Sequence, residues 1–320
     1  MTSPVPTPAT PLAPPAAVGR MALGAMLLSS TGIFVVLAQV APTVSAFYRM
    51  LFGGTMLLAW VAFGRRWTRI GWRDMGLALL PAAGFSLDLI FWHRSILGVG
   101  PGVATLLTNF QVFLMALVGG LVFRERLGRW FLPGIAVALA GLWLLVGAHW
   151  SLFDTQHRLG VWLGLASGLA YTVYLLSFRR ALSGRTALSA AQFLGLMSLL
   201  SAVLLLLWGW AEGNGFALVT LRSWSALLAL GFFGQVLAWL LMVRAMPLLP
   251  ASLVGLLLLL QPALAFVLDV LLFKRPTGAG DWLGLVLALA GILLGTLGRA
   301  KAKRQERAPT GKNSVGENHA

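Results

Sequence analysis

The sequence predicts an all-α polytopic membrane protein of ten transmembrane helices in two inverted five-helix repeats. Three observations predict it. The composition is 58% hydrophobic and only 10% charged over 320 residues, against roughly 45–50% apolar and about 25% charged in soluble domains. The apolar residues gather into ten uninterrupted segments. The chain also aligns with itself at a shift of 150 residues. So few charges cannot cover a water-soluble fold of this size, which excludes a cytosolic enzyme and a disordered chain.

Crossing about 30 Å of hydrocarbon takes roughly 20 apolar residues in a helix. The first such segment, 21–38, follows a proline-rich stretch with no basic residue before Arg20. Residues 1–19 therefore read as a disordered tail, with no cleavable signal. The second, 43–63, holds Arg49, and the third, 75–93, holds Asp88. The fourth and fifth, 101–123 and 130–147, complete a first repeat over 20–147. The sixth to tenth, 159–178, 189–210, 223–243, 250–272 and 281–298, form a second repeat over 159–298. The ninth ends near Asp269, and the basic stretch 299–320 reads as a second disordered tail. Barrel strands would alternate with period two, and runs such as Leu256 to Leu260 do not.

Lys and Arg bias sets the orientation. With the N-terminus inside, 18 basic residues fall on cytoplasmic loops and tails, and five (Arg94, Arg158, Arg222, Lys274, Arg275) fall outside. Both termini are expected in the cytoplasm, with the chain multi-pass in the cell (inner) membrane. The net charge of +15 is thus alternating loop charge and not a nucleic-acid patch. No cysteine is present, which excludes disulfides and thiolate metal sites, and no histidine spacing suits a metal. No cofactor is expected.

At the 150-residue shift, 91–147 meets 241–297 without a gap and with 14 identities, among them Arg94/Arg244 and Gln111/Gln261. Five spans per copy is an odd number, so the copies cross in opposite senses. Inverted halves are a signature of secondary transporters, with a site near the midplane where the halves meet.

The ten spans, the duplication, Ala46-Phe47-Tyr48-Arg49, Phe123-Arg124-Glu125-Arg126-Leu127 and the glycines of spans five and ten together resemble the EamA family of the drug/metabolite transporter superfamily. The resemblance covers about residues 20–298. It implies a ten-helix fold, cytoplasmic termini and a central cavity walled mainly by spans 3, 4, 8 and 9. It also implies export of amino acids, other metabolites or toxic compounds. One departure stands out: where the family's second copy usually has an acid matching Glu125, this chain reads Lys274-Arg275-Pro276.

Several residues are candidates for substrate binding or gating. A charge inside a bilayer costs roughly 2.5–3.5 kcal/mol on insertion scales, so Arg49 and Asp88 should have partners and a role. Both sit ~9 Å below the outer face at 1.5 Å per residue, which suggests that they pair. A structural ion pair, a substrate contact and a proton-coupling carboxylate all remain open. Asn109, Gln111, Gln235 and Gln261 put amides near mid-span, where interhelical bonding and cavity lining compete. Pro262 should kink the ninth span. Trp92, Tyr171 and Trp239 offer either an aromatic wall or lipid-facing rings. His93 beside Arg94 reads as interfacial. Glu125 among arginines reads as a local ion cluster or a cytoplasmic gate. Gly160, Gly164, Gly168, Gly291 and Gly295 read as helix-packing positions.

The resulting expectation is a secondary transporter, an exporter of a small organic metabolite such as an amino acid or a hydrophobic toxic compound. No Walker A motif is present, so this chain does not hydrolyse ATP. A channel-like facilitator and, further off, an intramembrane enzyme are the alternatives. The expected partners are a small-molecule substrate and the lipid bilayer, with proton coupling and a homodimer left open.

Overall fold

The computed structural model describes residues 14–123, 129–147, 150–249 and 251–307. Each expected span coincides with a helical segment. We number them α1 (Pro15–Ala38), α2 (Pro42–Phe63), α3 (72–99), α4 (101–123), α5 (Phe131–Gly147), α6 (Thr155–Leu182), α7 (Ala190–Ala211), α8 (Leu221–Ala245), α9 (251–273) and α10 (Ala279–Arg307). Among the described residues, seven continuous helices are long and apolar enough to cross a bilayer, one of them the 47-residue run Trp72–Val118. That run is α3 and most of α4, divided where Gly100 adopts φ 82°, ψ 160°. Prolines open α1 and α2, where a missing N–H costs nothing. Asp154, Ser189 and Thr220 cap α6, α7 and α8 by accepting backbone N–H bonds.

Two expected boundaries are corrected. Residues 15–19 belong to α1, because Ala17 and Met21 pack against Met242 and Ala245. Residues 299–307 continue α10 as helix. Glu125 and its arginine neighbours Arg124 and Arg126 lie outside the described residues.

The helices pair antiparallel across the two halves. α3 packs on α6 and α1 on α8, while α2 packs on α7 and α5 on α10. In the last pair the contacts obey the 150-residue shift residue for residue. A Cβ on Gly134 would meet the backbone of Gly291 and Gly295, and one on Gly284 would meet Gly141 and Leu145. A Cβ on Gly141 would strike Ala288 and Gly284, and one on Gly291 would strike Ala138 and Gly134. Exchanging the halves therefore maps this interface onto itself.

Large apolar side chains such as Leu121, Leu132, Leu271 and Val286 face outward, while Arg49, Asp88, Gln192 and Gln235 are buried. That is the arrangement of a chain whose surroundings are hydrocarbon.

Candidate functional site

Helical spacing brings two stripes face to face. Phe85, Asp88 and Trp92 recur at i, i+3 and i+7 on α3. Ser167, Tyr171 and Tyr174 do the same at i, i+4 and i+7 on α6. Between them reaches Arg49 from α2, whose Ser45 and Gly53 share its face. The Ser167 hydroxyl donates to Asp88 Oδ1 at 2.5 Å and meets the Thr108 hydroxyl of α4 at 2.9 Å. Phe85 stacks on Tyr174 with centroids 4.5 Å apart.

Arg49 is 7% exposed and Asp88 4%. The expected direct pair does not form: among the described residues Arg49 has no ion pair within 4.0 Å. Its guanidinium lies 5.8 Å from the Phe85 centroid and 5.6 Å from that of Trp92. The aromatic faces, rich in electron density, take the place of the carboxylate. Equal depth on two helices fixed the level of these side chains but not the distance across it. Asp88 remains near enough for its charge to act on Arg49.

The Nε of Arg49 is buried without a hydrogen-bond partner. Its Nη atoms and Oδ2 of Asp88 have no partner either, yet they are not among the sealed atoms. They therefore keep some accessible surface within an otherwise buried setting. Around them the hydroxyls of Tyr174 and Ser45, Oε1 of Gln235 and Nε2 of His93 are also buried and unpartnered. Leaving such a group unsatisfied costs about 1–3 kcal/mol, so their clustering marks a place built for polar company.

Gln235 sits in a π-helical stretch of α8, Leu230–Leu237, a local form frequent at functional sites. Its Nε2 donates to Ser198 of α7 at 3.1 Å, and its stem fills the space that a Cβ on Gly53 would need. α4 breaks at Phe110 and α9 at Leu259. Pro262 accounts for the second, since it cannot bond the carbonyl of Leu258. In the first, the Asn109 amide and the Thr105 and Thr108 hydroxyls each bond a carbonyl four residues back, which loosens the ladder. Gln111 begins the helix after that break with Oε1 unpartnered.

The structure brings Arg49, Asp88, Trp92 and Tyr171 to one centre. Trp239 does not join them, as it packs on Phe178 at 5.8 Å. Asn109, Gln111 and Gln261 flank the two helix breaks instead. His93 is corrected: it is fully buried, with Nδ1 3.2 Å from the Pro42 carbonyl, because the start of α2 crosses over it. Gly98 and Gly160 meet backbone to backbone, and Gly164 and Gly168 receive α4. These glycines serve packing.

Two clusters at the helix ends on one side of the bundle were not singled out by sequence reasoning. Glu212 pairs with Arg94 and accepts from Thr43, Trp208 and Asn214. Asp269 pairs with Arg275 at 3.5 Å beside the Gly100 bend. Among the described residues no cluster of three or more His, Asp or Glu could hold a metal.

A model of the EamA-like transporter family matches residues 17–147 and again 158–297. The uncharacterized transporter YwfM of Bacillus subtilis (strain 168) is 26% identical over 299 residues, covering 89% of this chain and 95% of YwfM. The uncharacterized transporter YxxF of the same organism is 24% identical over 294 residues, covering 90% and 91%. A solved crystal structure superposes over 88% of this chain and 97% of its own with TM-score 0.63 at 19% identity, a likeness of fold alone.

Proposed function

This chain belongs to the EamA-like transporter family and is a multi-pass membrane transporter; from that premise we propose that it is a secondary exporter of small zwitterionic metabolites, amino acids with apolar side chains first among them. A hydrophobic toxic compound carrying an amine or a carboxylate satisfies the same geometry. The termini are assigned to the cytoplasm and the chain to the cell (inner) membrane. Transport proceeds by alternating access at the midplane, with the two halves trading conformations. With no Walker A motif, energy comes from a gradient.

One observation carries the reading. Arg49 and Asp88 are opposite charges, buried at the same level, each with polar atoms left without a partner and neither bonded to the other. A carboxylate fits the guanidinium and an ammonium fits Asp88. The Trp92, Phe85 and Tyr171 rings wall the gap for an apolar side chain. A charge-assisted bond to each end is the strong kind, and it relieves charges otherwise left in low dielectric.

The test is counterflow of radiolabelled leucine, phenylalanine and threonine in proteoliposomes. Saturable exchange is expected, and Arg49→Gln and Asp88→Asn should each lower it at least tenfold, equivalent to about 1.4 kcal/mol. Glu317→Ala should be neutral. A structural pair instead predicts that the double variant regains wild-type exchange, and that recovery would overturn the site. Unsaturable flux would favour a channel. If Asp88→Asn still transports with an unchanged pH profile, proton coupling through Asp88 is excluded.

A further inference from the structure

One cavity lies away from Arg49. It encloses about 600 Å³ near the outer ends of the helices and is lined by the Gly98–Pro101 bend, His157, Asp269, Arg275 and Asp281 among others. Resting on the orientation assigned above, we propose that this cavity is the outer vestibule of the transport pathway and that Asp269 and Arg275 hold its inner end shut.

Four observations support the assignment. The first is a clamp on both sides of one bend. Asp269, 2% exposed on α9, accepts the Gly102 N–H at 3.1 Å at the start of α4. Arg275 donates to the Val99 carbonyl at 2.5 Å at the end of α3. The two side chains meet at 3.5 Å, so one ion pair ties the α3–α4 hairpin to α9. Second, the bend between them is Gly100 at φ +82°, a conformation suited to glycine. A Cβ there would stand 2.6 Å from Asp269 Oδ2. Third, the piece of α4 so clamped is short. It runs from Pro101 to Asn109 and ends at the break at Phe110, so it is bounded by a joint at each end.

Fourth, a ladder of hydroxyls descends from the cavity to the centre. Pro101 lines the cavity, and its carbonyl accepts from Thr105 at 2.7 Å. One turn further on, Thr108 meets Ser167 at 2.9 Å, and Ser167 donates to Asp88. The clamped segment is thus the partition between the vestibule and the Arg49–Asp88 gap. Releasing Asp269 and Arg275 frees it to swing on its two joints and open a polar path outward. Arg275 is also the residue that stands at the repeat position of Glu125, where the sequence departs from the family pattern.

The chain has no cysteine, so a single introduced thiol reports without background. Thr105, 4% exposed, is replaced by cysteine and labelled in intact cells with a membrane-impermeant maleimide. Labelling is expected to be slow in that background and at least tenfold faster when Arg275→Gln or Asp269→Asn is added. Arg275→Lys, which keeps the cation, should stay slow. Unchanged labelling in both neutral variants would overturn the lock. Arg275→Cys in a Thr105 chain guards against misfolding. Its altered counterflow should return toward wild type after modification with a cationic aminoethyl reagent and not with an anionic sulfonatoethyl one. Equal response to both reagents also overturns the proposal. Arg222→Cys on an outer loop checks orientation separately. If it resists the impermeant reagent, the orientation is wrong. If it labels while Thr105→Cys ignores the lock variants, only the lock fails.

Discussion

A single carboxylate joins three helices near their ends on one side of the bundle. Glu212 follows the last turn of α7, accepts from Thr43 of α2 at 2.7 Å and pairs with Arg94 of α3. Partial burial pushes its carboxyl up, but the bonds from Thr43, Trp208 and Asn214 and the Arg94 charge outweigh it, and the carboxyl settles below its ordinary range. A carboxylate depressed in the folded state contributes stability in full above its unfolded value, and that contribution is lost as pH falls through the folded one. Glu212→Gln should therefore cost about 1 kcal/mol at neutral pH, as for a partly exposed pair, and nothing at strongly acid pH. Thermal unfolding in detergent across pH 3–7 measures it, and an equal loss at every pH would refute the linkage. The legibility of residues divides along the same physics. Arg49 and Asp88 were visible because a charge in an apolar run is conspicuous and depth follows from counting. Their separation was not, because the spacing along one helix says nothing about the rotation of its neighbour. His93 was misread because Arg94 beside it marks the rim, while the start of α2 that covers it belongs to another helix.

At the scale of elements, apolar run length placed all ten helical segments, and Pro262 announced the break in α9. The matching break in α4 carries no proline. It arises from side chains capturing their own helix's carbonyls, a choice open to any Thr or Asn and made only in context. The π-helical stretch of α8 likewise left no pattern in the sequence. The glycines were legible as packing positions, and the structure gives them quantitative content. A Cβ on Gly141 or on Gly291 would overlap the partner backbone, and backbone cannot rotate away. Each Gly→Ala change should destabilise by about 1–3 kcal/mol, the usual cost of overpacking. Because the interface is two-fold related, the two losses should be similar. Gly19→Ala, with nothing within 4 Å, should be neutral. Melting temperatures in one detergent test this, and a twofold or greater disparity between Gly141→Ala and Gly291→Ala would deny the equivalence of α5 and α10.

For the whole molecule, the duplication and the odd number of spans per copy demand that equivalent helices run oppositely. The equivalent helices that touch are consistent with this: α5 meets α10 with Gly134 near Gly295 and Gly141 near Ala288, and α2 meets α7 with Gly54 near Leu199 and Gly195 near Leu58. In each case one helix ascends while its partner descends. An axis in the membrane plane follows, and it makes the two faces of the protein chemically comparable. Among the described residues they differ in their ties. On one side the helix ends are joined through ions, Arg94 with Glu212 and Arg275 with Asp269. On the other they are joined through neutral or singly charged bonds, Gln192 with the Thr68 backbone and Thr186 with Asp74. In the proposed orientation, with 18 positive residues on one face against five on the other, the ionic ties lie outside. Topology should therefore read as follows in the cysteine-free chain. Cysteine at Arg222 or Gln156 should react with an impermeant maleimide in intact cells, and cysteine at Arg65 or Arg185 should react only after permeabilisation. Labelling of all four from outside, or the reverse assignment, would contradict the axis or its sense. Under the proposed export direction, the side carrying these ion pairs is the side that parts for release, and the proposed zwitterion, by competing for Arg49 and Asp88, is placed to influence that step.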